Sequence, residues 1–150
     1  MALRYFEDFQ VGEIVPLGEC TISETEIMEF GRAYDPQFFH VDPERAKTSM
    51  YGGLIASGWH TASIGMRLLV DGLLSKSASM GSPGLDALNW HKPVRPEDRL
   101  SARFTVLELT PSQTRQDRGR MRAKVEMLNA ADDLVLSWTG TIIFGRRPAQ

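Results

Sequence analysis

Residues 58–74 read GWHTASIGMRLLVDGLL, and this stretch decides the fold. Its apolar residues fall on most faces of a helix, which predicts a long helix from about Gly58 to about Leu74. A helix that is apolar nearly all round belongs inside a protein, where other elements cover it. We therefore expect the rest of the chain to supply a layer that surrounds this helix.

The second half of the chain predicts that layer. Apolar and polar residues alternate with a period of two over 99–109, 119–128 and 134–144, and a further strand is expected over 85–94. Short turns join the last three strands, which indicates an antiparallel sheet with one buried face. A sheet packed around one apolar helix is an α+β fold.

A second, shorter helix is expected before the central one. Ser23 and Glu26 have the spacing of a capping box, which marks the start of a helix. This helix should end near Asp35, because Pro36 disfavours helical geometry in the residue before it. A loop then leads to a short helical turn that has Pro43 at its first position.

Composition excludes several classes of protein. The 150 residues, 42% hydrophobic and 24% charged, fit a single domain over residues 1–150. A pI of about 5.9 lacks the broad basic face of a nucleic-acid-binding protein. No apolar run approaches the roughly 20 residues of a membrane span, and the N-terminus lacks the apolar core of a secretory signal. We expect a cytoplasmic protein without membrane or nucleic-acid partners.

Metal chemistry is not expected either. Cys20 is the single cysteine, which forbids an intramolecular disulfide and a cysteine-based zinc site. No spacing of His, Asp and Glu resembles a metal site.

Asp35 and His40 are the first candidates for chemistry. They lie five residues apart on a loop after a helix, and a carboxylate with an imidazole can serve as a general acid/base pair. Phe38 and Phe39 lie between them and could desolvate the pair, which would raise the pKa of Asp35. The alternative is structural: Asp35 caps a turn and His40 is a partly buried histidine.

The start of the central helix is the second candidate. Backbone N–H groups there have no partner inside the helix and favour an anion or a developing oxyanion. Gly58 allows a ligand to approach the backbone closely, although Ser57 and Gly58 could equally be a simple helix start. His60, Ser63 and His91 are further candidates, and a structural or surface role is commoner for each of them.

A basic cluster lies in the second half of the chain. Arginine offers a planar fork of donors that suits phosphate, so the cluster could hold phosphates or could simply be a solvated hairpin. Its members are Arg115, Arg118, Arg120, Arg122 and Lys124.

Four segments resemble the MaoC-type hydratases, the (R)-specific enoyl-CoA hydratase branch of the hot-dog fold. Residues 35–43, DPQFFHVDP, are similar to the family motif of Asp, any residue, Asn, Pro, any residue, His, any residue and Asp. Residues 5–13 resemble the opening strand of the family, and residues 55–63 resemble the start of its central helix. Residues 92–100 resemble its Pro-Val and Gly-Asp turn before a strand.

The resemblance implies a sheet wrapped around a central helix. It also implies subunits that pair as a homodimer or a dimer-based higher oligomer, with the active site at the dimer interface. It implies that Asp35 and His40 are catalytic and activate a water for syn addition to a trans-2-enoyl-CoA, giving a (3R)-3-hydroxyacyl-CoA. The Gly58 N–H would hold the thioester oxygen. No cofactor is implied beyond the coenzyme A of the substrate, whose phosphates could use the basic cluster.

The chain departs from the family pattern at four positions. Gln37 and Phe38 replace the Asn and Pro of the motif, and Ser57 replaces a histidine that often precedes the helix glycine. Met66 falls where well-known members have a supporting serine, which predicts a larger or more apolar pocket.

Two alternative functions stay open at this point. A hot-dog acyl-CoA thioesterase would use a carboxylate on the central helix, but the acid there, Asp71, falls two or more turns too far along. A non-catalytic acyl-thioester binding module would not require both Asp35 and His40.

Overall fold

The computed structural model describes residues 2–150, and within that range the strands form one five-stranded antiparallel sheet. The strand order across the sheet is β1-β3-β4-β5-β2, so β1 and β2 are its edges. The strands are β1 (Ile14–Thr21), β2 (Gly84–Trp90), β3 (Arg99–Pro111), β4 (Arg118–Leu128) and β5 (Leu134–Gly145). The predicted run of three hairpin-linked strands is confirmed as β3, β4 and β5.

Four α-helices accompany the sheet in the part of the chain that the structure describes. They are α1 (Glu24–Tyr34), α2 (Phe38–Val41), α3 (Pro43–Ala46) and α4 (Gly58–Gly72). The sequence predicted α1, α3 and α4 but treated the segment of α2 as loop. Over residues 2–150, no helix combines the length and the apolar character needed to cross a membrane.

The core lies between α4 and the inner face of the sheet. Gly65 allows the close approach, because a Cβ at this position would lie 2.7 Å from the sulfur of Met127 and 2.9 Å from the Trp138 ring. Burial of each large apolar side chain is worth roughly 1.5–3 kcal/mol. The alternation predicted for the strands is confirmed by buried Leu100, Phe104, Val106, Met121, Val125, Met127, Leu136 and Phe144.

The expectation that α4 is covered on nearly every side is wrong for one face within a single chain. Trp59 is 60% exposed and Met66 is 45% exposed. Leu85 and Trp90 of the edge strand β2 are also largely exposed. The sheet covers most of α4, but it stops at β2 and leaves this face open.

The junction of α1 and α2 fixes where the candidate residues lie. The backbone N–H of Asp35 donates to the Gly31 carbonyl at 2.8 Å and ends α1. Gly31 lets α2 pack closely, because a Cβ there would lie 2.9 Å from a methyl group of Val41 and 3.1 Å from the His40 Cβ. Gly31 therefore helps to position both residues: its carbonyl accepts the Asp35 N–H, and its lack of a side chain makes room for His40.

Candidate active site

The structure brings Asp35 and His40 together. His40 lies on α2 and is 4% exposed, and its Nε2 lies 3.1 Å from Oδ2 of Asp35. The five-residue spacing places them on one side of a tight connection between α1 and α2. The two side chains are therefore close enough to exchange a proton, and their catalytic role stays a prediction.

The contacts of the His40 ring define where its protons lie. Nδ1 is 2.8 Å from the carbonyl oxygen of Ile55. A carbonyl oxygen can only accept, so Nδ1 carries a proton. Nε2 faces a carboxylate, and this contact is a hydrogen bond only when a second proton lies between the two groups. The geometry therefore allows a proton to pass between Asp35 and His40.

Two further donors hold the Asp35 carboxylate. The Gln37 side-chain amide donates to Oδ1 at 2.8 Å, and the Ser57 hydroxyl donates to Oδ2 at 2.7 Å. Burial raises the pKa of Asp35, but the hydrogen bonds from Gln37 and Ser57 and the neighbouring His40 outweigh it and hold that pKa below its usual value. Asp35 is therefore a carboxylate, and a proton acceptor, at neutral pH.

The prediction that Phe38 and Phe39 raise the pKa of Asp35 is wrong. Phe39 packs edge-on against His40, with ring centroids 4.6 Å apart. The Cζ atom of Arg45 lies over the Phe38 ring, 4.4 Å from the ring centroid. Both rings pack against other side chains, and the donors on Asp35 decide the direction of its pKa shift.

Asp35, His40 and Gly58 line one cavity of ≈ 500 Å³. Gly58 is the first residue of α4, so its N–H has no acceptor inside the helix. The indole N–H of Trp90 donates to the Gly58 carbonyl at 2.7 Å. A Cβ on residue 58 would lie 2.6 Å from the Trp90 ring, which explains why a glycine stands here.

Ser57 and Trp90 are site residues that sequence reasoning missed. Ser57 was taken for a helix start, and its spacing from Asp35 carries no local pattern. Trp90 ends an edge strand, and an aromatic residue there is ordinary strand composition. Neither residue has a signal that one sequence alone could have revealed.

A second cavity, of ≈ 270 Å³, lies between α4 and the sheet. Met66, Leu69 and Phe104 are among its largely apolar lining residues, in agreement with the apolar pocket that Met66 predicted. Trp59 lines this cavity as well as the one that contains Asp35. The two cavities are therefore neighbours on either side of one indole.

The three further candidates, His60, Ser63 and His91, lie in different surroundings. His91 lines the cavity of Asp35, and its Nε2 contacts the Ser137 hydroxyl at 2.8 Å. His60 is buried and stacked on Phe30, where burial lowers its pKa. Ser63 is exposed and donates to the Trp59 carbonyl at 2.7 Å. Of the three, His91 is the one that faces the site.

The basic cluster lies on the other face of the sheet. Arg120, Arg122 and Lys124 alternate along β4 with buried residues that face α4, so their side chains point outward. Arg122 pairs with Asp86 of β2. The basic side chain that lines the Asp35 cavity is instead Lys92.

Neither a thioesterase carboxylate nor a metal cluster is found at the site. Asp71 lies on the exposed side of α4 and pairs with Arg67 at 2.7 Å. Over residues 2–150, no group of three or more His, Cys, Asp or Glu side chains could hold a metal ion.

This arrangement, an antiparallel sheet around a central helix with Asp35 and His40 beside the helix start, is the hot-dog fold of MaoC-like hydratases. The sequence profile of the MaoC like domain matches residues 9–130, and the chain belongs to this family.

Relatives agree in sequence and in structure. The chain is 31% identical over 119 residues to the (R)-specific enoyl-CoA hydratase of Rhodospirillum rubrum, covering 75% of this chain and 76% of that protein. The crystal structure of a MaoC-like dehydratase from Rhodospirillum rubrum has a TM-score of 0.88 and 38% identity, and covers 97% of this chain and 99% of that chain. The (R)-hydratase from A. caviae, at 21% identity and a TM-score of 0.74 over 95% of this chain and 99% of that chain, shares the fold.

Proposed function

We propose that this protein is a hydratase/dehydratase that reversibly adds water to a trans-2-enoyl-CoA and gives a (3R)-3-hydroxyacyl-CoA. The observation that carries the proposal is the 3.1 Å contact between Asp35 Oδ2 and His40 Nε2 in a cavity that also reaches Gly58. A base, an acid and an oxyanion donor are the groups that this reaction requires. The (R)-specific enoyl-CoA hydratase relative supports the choice of reaction.

The proposed steps require an ionised Asp35 and a proton on His40 Nε2. Asp35 takes a proton from a water as the water oxygen bonds to Cβ, and the electron pair of the double bond moves onto the thioester oxygen. The Gly58 N–H stabilises that oxygen. The His40 Nε2–H then gives its proton to Cα from the same face. Transfer of the proton from Asp35 to His40 restores the starting pair, and dehydration is the reverse path.

Substrate recognition is proposed from the two cavities. The acyl chain would enter the apolar cavity beside Met66, and the thioester would lie near Trp59, which lines both cavities. Lys92 supplies positive charge in the cavity of the pair. Acid/base groups suffice for the chemistry, so we propose no metal or organic cofactor besides the coenzyme A of the substrate. We place the reaction in the cytoplasm.

The open edge of the sheet supports a homodimer. An edge strand presents unpaired backbone groups, and large exposed apolar side chains beside it mark an interaction surface. We propose that β2 of one copy faces β2 of a second copy and that this contact covers Trp59 and Leu85.

Light scattering tests the dimer. We expect the wild type at about twice the 16.8 kDa chain mass and Leu85→Lys at the chain mass itself. Val11→Lys, at an exposed apolar residue far along the chain from β2, is the matched control and should stay dimeric. A wild type at the chain mass would contradict the proposal.

Loss of the enoyl thioester absorbance tests the activity. Crotonyl-CoA and a longer trans-2-enoyl-CoA are given to the wild type, Asp35→Asn and Asp71→Asn. We expect Asp35→Asn to lower kcat/KM by about 10²–10⁴-fold, because an amide cannot accept the water proton. Asp71→Asn, which makes the same change on the exposed side of α4, should keep wild-type activity.

Other results would favour the alternatives. Release of free thiol by the wild type, without loss of the double bond, would make the protein a thioesterase. Tight binding of the enoyl thioester without turnover, unaltered in Asp35→Asn, would make it a binding module.

A further inference from the structure

We propose that Ser57 is a positioning residue whose hydroxyl orients the Asp35 carboxylate toward His40, an inference that rests on the proposed hydratase function. The Ser57 Oγ–H donates to Asp35 Oδ2 at 2.7 Å, and Ser57 has no exposed surface. The oxygen that it contacts is the one that lies 3.1 Å from His40 Nε2. The hydroxyl therefore acts on the atom that exchanges a proton with His40.

The position of Ser57 in the fold makes this contact unusual. Ser57 is the N-cap residue of α4, where a serine oxygen commonly accepts a hydrogen bond from an N–H of the first turn. Among the residues that the structure describes, its side chain makes no such cap, and the hydroxyl is directed to Asp35 instead. The helix start has given up a stabilising contact that this residue type normally provides.

The hydrogen bond from Ser57 limits how the carboxylate can turn. Gln37 donates to Oδ1 from an exposed position, whereas Ser57 donates to Oδ2 from a buried one. A hydrogen bond to a charged group is stronger when it is shielded from water. Loss of the Ser57 contact should therefore free the carboxylate to rotate away from His40 more than loss of the Gln37 contact would.

Ser57 also links the two halves of the site through the backbone. The residue after it is Gly58, whose N–H is the proposed oxyanion donor. Ser57 thus contacts the proposed base through its side chain, and its peptide bond to Gly58 contains the N–H that is the proposed oxyanion donor. A substrate that spans the two groups needs them at a fixed separation, and small displacements are costly in rate.

Other groups around Asp35 could also affect how it titrates. His40 faces it from α2, Tyr51 lines the same cavity from the loop after α3, and His91 and Lys92 line it from the segment after β2. The serine hydroxyl is uncharged, so its removal leaves all of these charges in place. A changed titration of Asp35 in such a variant therefore reports the lost hydrogen bond.

Two readouts on Ser57→Ala and Ser57→Thr test the proposal. The first is the titration of the Asp35 carboxyl carbon by NMR, and the second is kcat/KM for crotonyl-CoA against pH. In Ser57→Ala we expect the Asp35 titration and the acidic limb of the profile to move to higher pH. We expect kcat/KM to fall about tenfold with KM little changed. Ser57→Thr keeps the hydroxyl and should restore both readouts.

Ser23→Ala is the matched control, because Ser23 is the N-cap of α1 and lies outside the site. It should leave both readouts at their wild-type values.

An unmoved Asp35 titration in Ser57→Ala overturns the proposal. A loss of activity that is equal at every pH, with that titration unmoved, also overturns it, since a structural role alone would produce this result. If the wild type has no hydratase activity, the proposed function fails, and the NMR titration by itself still decides whether Ser57 controls Asp35.

Discussion

A serine is the N-cap residue of both α1 and α4, and the two hydroxyls make different hydrogen bonds. At the start of α1, the Ser23 oxygen accepts the backbone N–H of Glu26 at 3.1 Å, which is an ordinary helix cap. At the start of α4, the Ser57 hydroxyl donates to Asp35 at 2.7 Å. Both hydrogen bonds of the Ser23 side chain are to Glu26 in the first turn of its own helix, whereas the Ser57 hydroxyl donates to a carboxylate 22 residues earlier in the chain.

The difference shows what the start of α4 is built for. A cap of the Ser23 kind stabilises a helix by about 1 kcal/mol. At the start of α4, Ser57 contacts Asp35 and Gly58 contacts the Trp90 indole, so both residues contact groups outside the helix. For α1, the C-terminal end lies at the site instead, because its last residue, Tyr34, is followed directly by Asp35. The residues at the start of α4 therefore contact groups that line the cavity rather than cap their own helix.

The largest expected effect at the two helix starts comes from Gly58→Ala. Its Cβ would lie 2.6 Å from the Trp90 ring, so either the indole or the first turn of α4 must move. We expect kcat/KM to fall about 10²-fold or more, the size typical of a lost oxyanion donor. Steady-state kinetics with crotonyl-CoA measures the loss. Glu24→Ala, at the first residue of α1, should leave kcat/KM unchanged.

The double variant Gly58→Ala with Trp90→Ala identifies the cause of that loss. If the clash displaces the helix start, removal of the indole should restore part of the activity. An activity that stays as low as in Gly58→Ala would show that the added methyl group blocks the substrate directly.

The cap of α1 was predictable, and the contact of Ser57 was not. In the capping box, donor and acceptor lie three residues apart, so one short stretch of sequence contains the whole interaction. Ser57 and Asp35 are 22 residues apart, and Trp90 and Gly58 are 32 apart. These contacts form between segments that are distant in the sequence and meet only in the folded chain.

The same reason explains which parts of the fold and site were foreseen. Apolar periodicity predicted α4 and the strands, because each pattern is local. The exposed face at Trp59 was not foreseen, because whether a neighbour covers a helix depends on where the sheet ends. The Asp35–His40 pair was foreseen as a five-residue motif. The direction of the Asp35 pKa shift was not, since it depends on the hydrogen bonds that Gln37, Ser57 and His40 make to the carboxylate in the folded chain.

The smallest expected effect is on stability, and its pH dependence separates the two serines. The pKa of Asp35 lies below its ordinary value of 3.8, so this group stabilises the fold above that pH, and the contribution is lost as the pH falls through the folded-state pKa. Ser57→Ala should cost about 1 kcal/mol of unfolding free energy at neutral pH, allowing for the partial exposure of Asp35. That cost should shrink in acid, because the protonated carboxyl needs the donor less.

Ser23→Ala should behave differently, because it loses a contact with the backbone N–H of Glu26 and a hydroxyl contact with the Glu26 carboxylate, and that carboxylate is exposed to solvent, where such contacts contribute little. We expect a loss of about 1 kcal/mol that changes little between about pH 3 and pH 7. Urea unfolding at one fixed protein concentration, repeated across this range, measures both variants, and the fixed concentration removes any contribution from association. Two parallel curves would mean that Ser57 is no more than a second helix cap, whereas curves that converge for Ser57 alone would show its hydroxyl acting on an ionised Asp35.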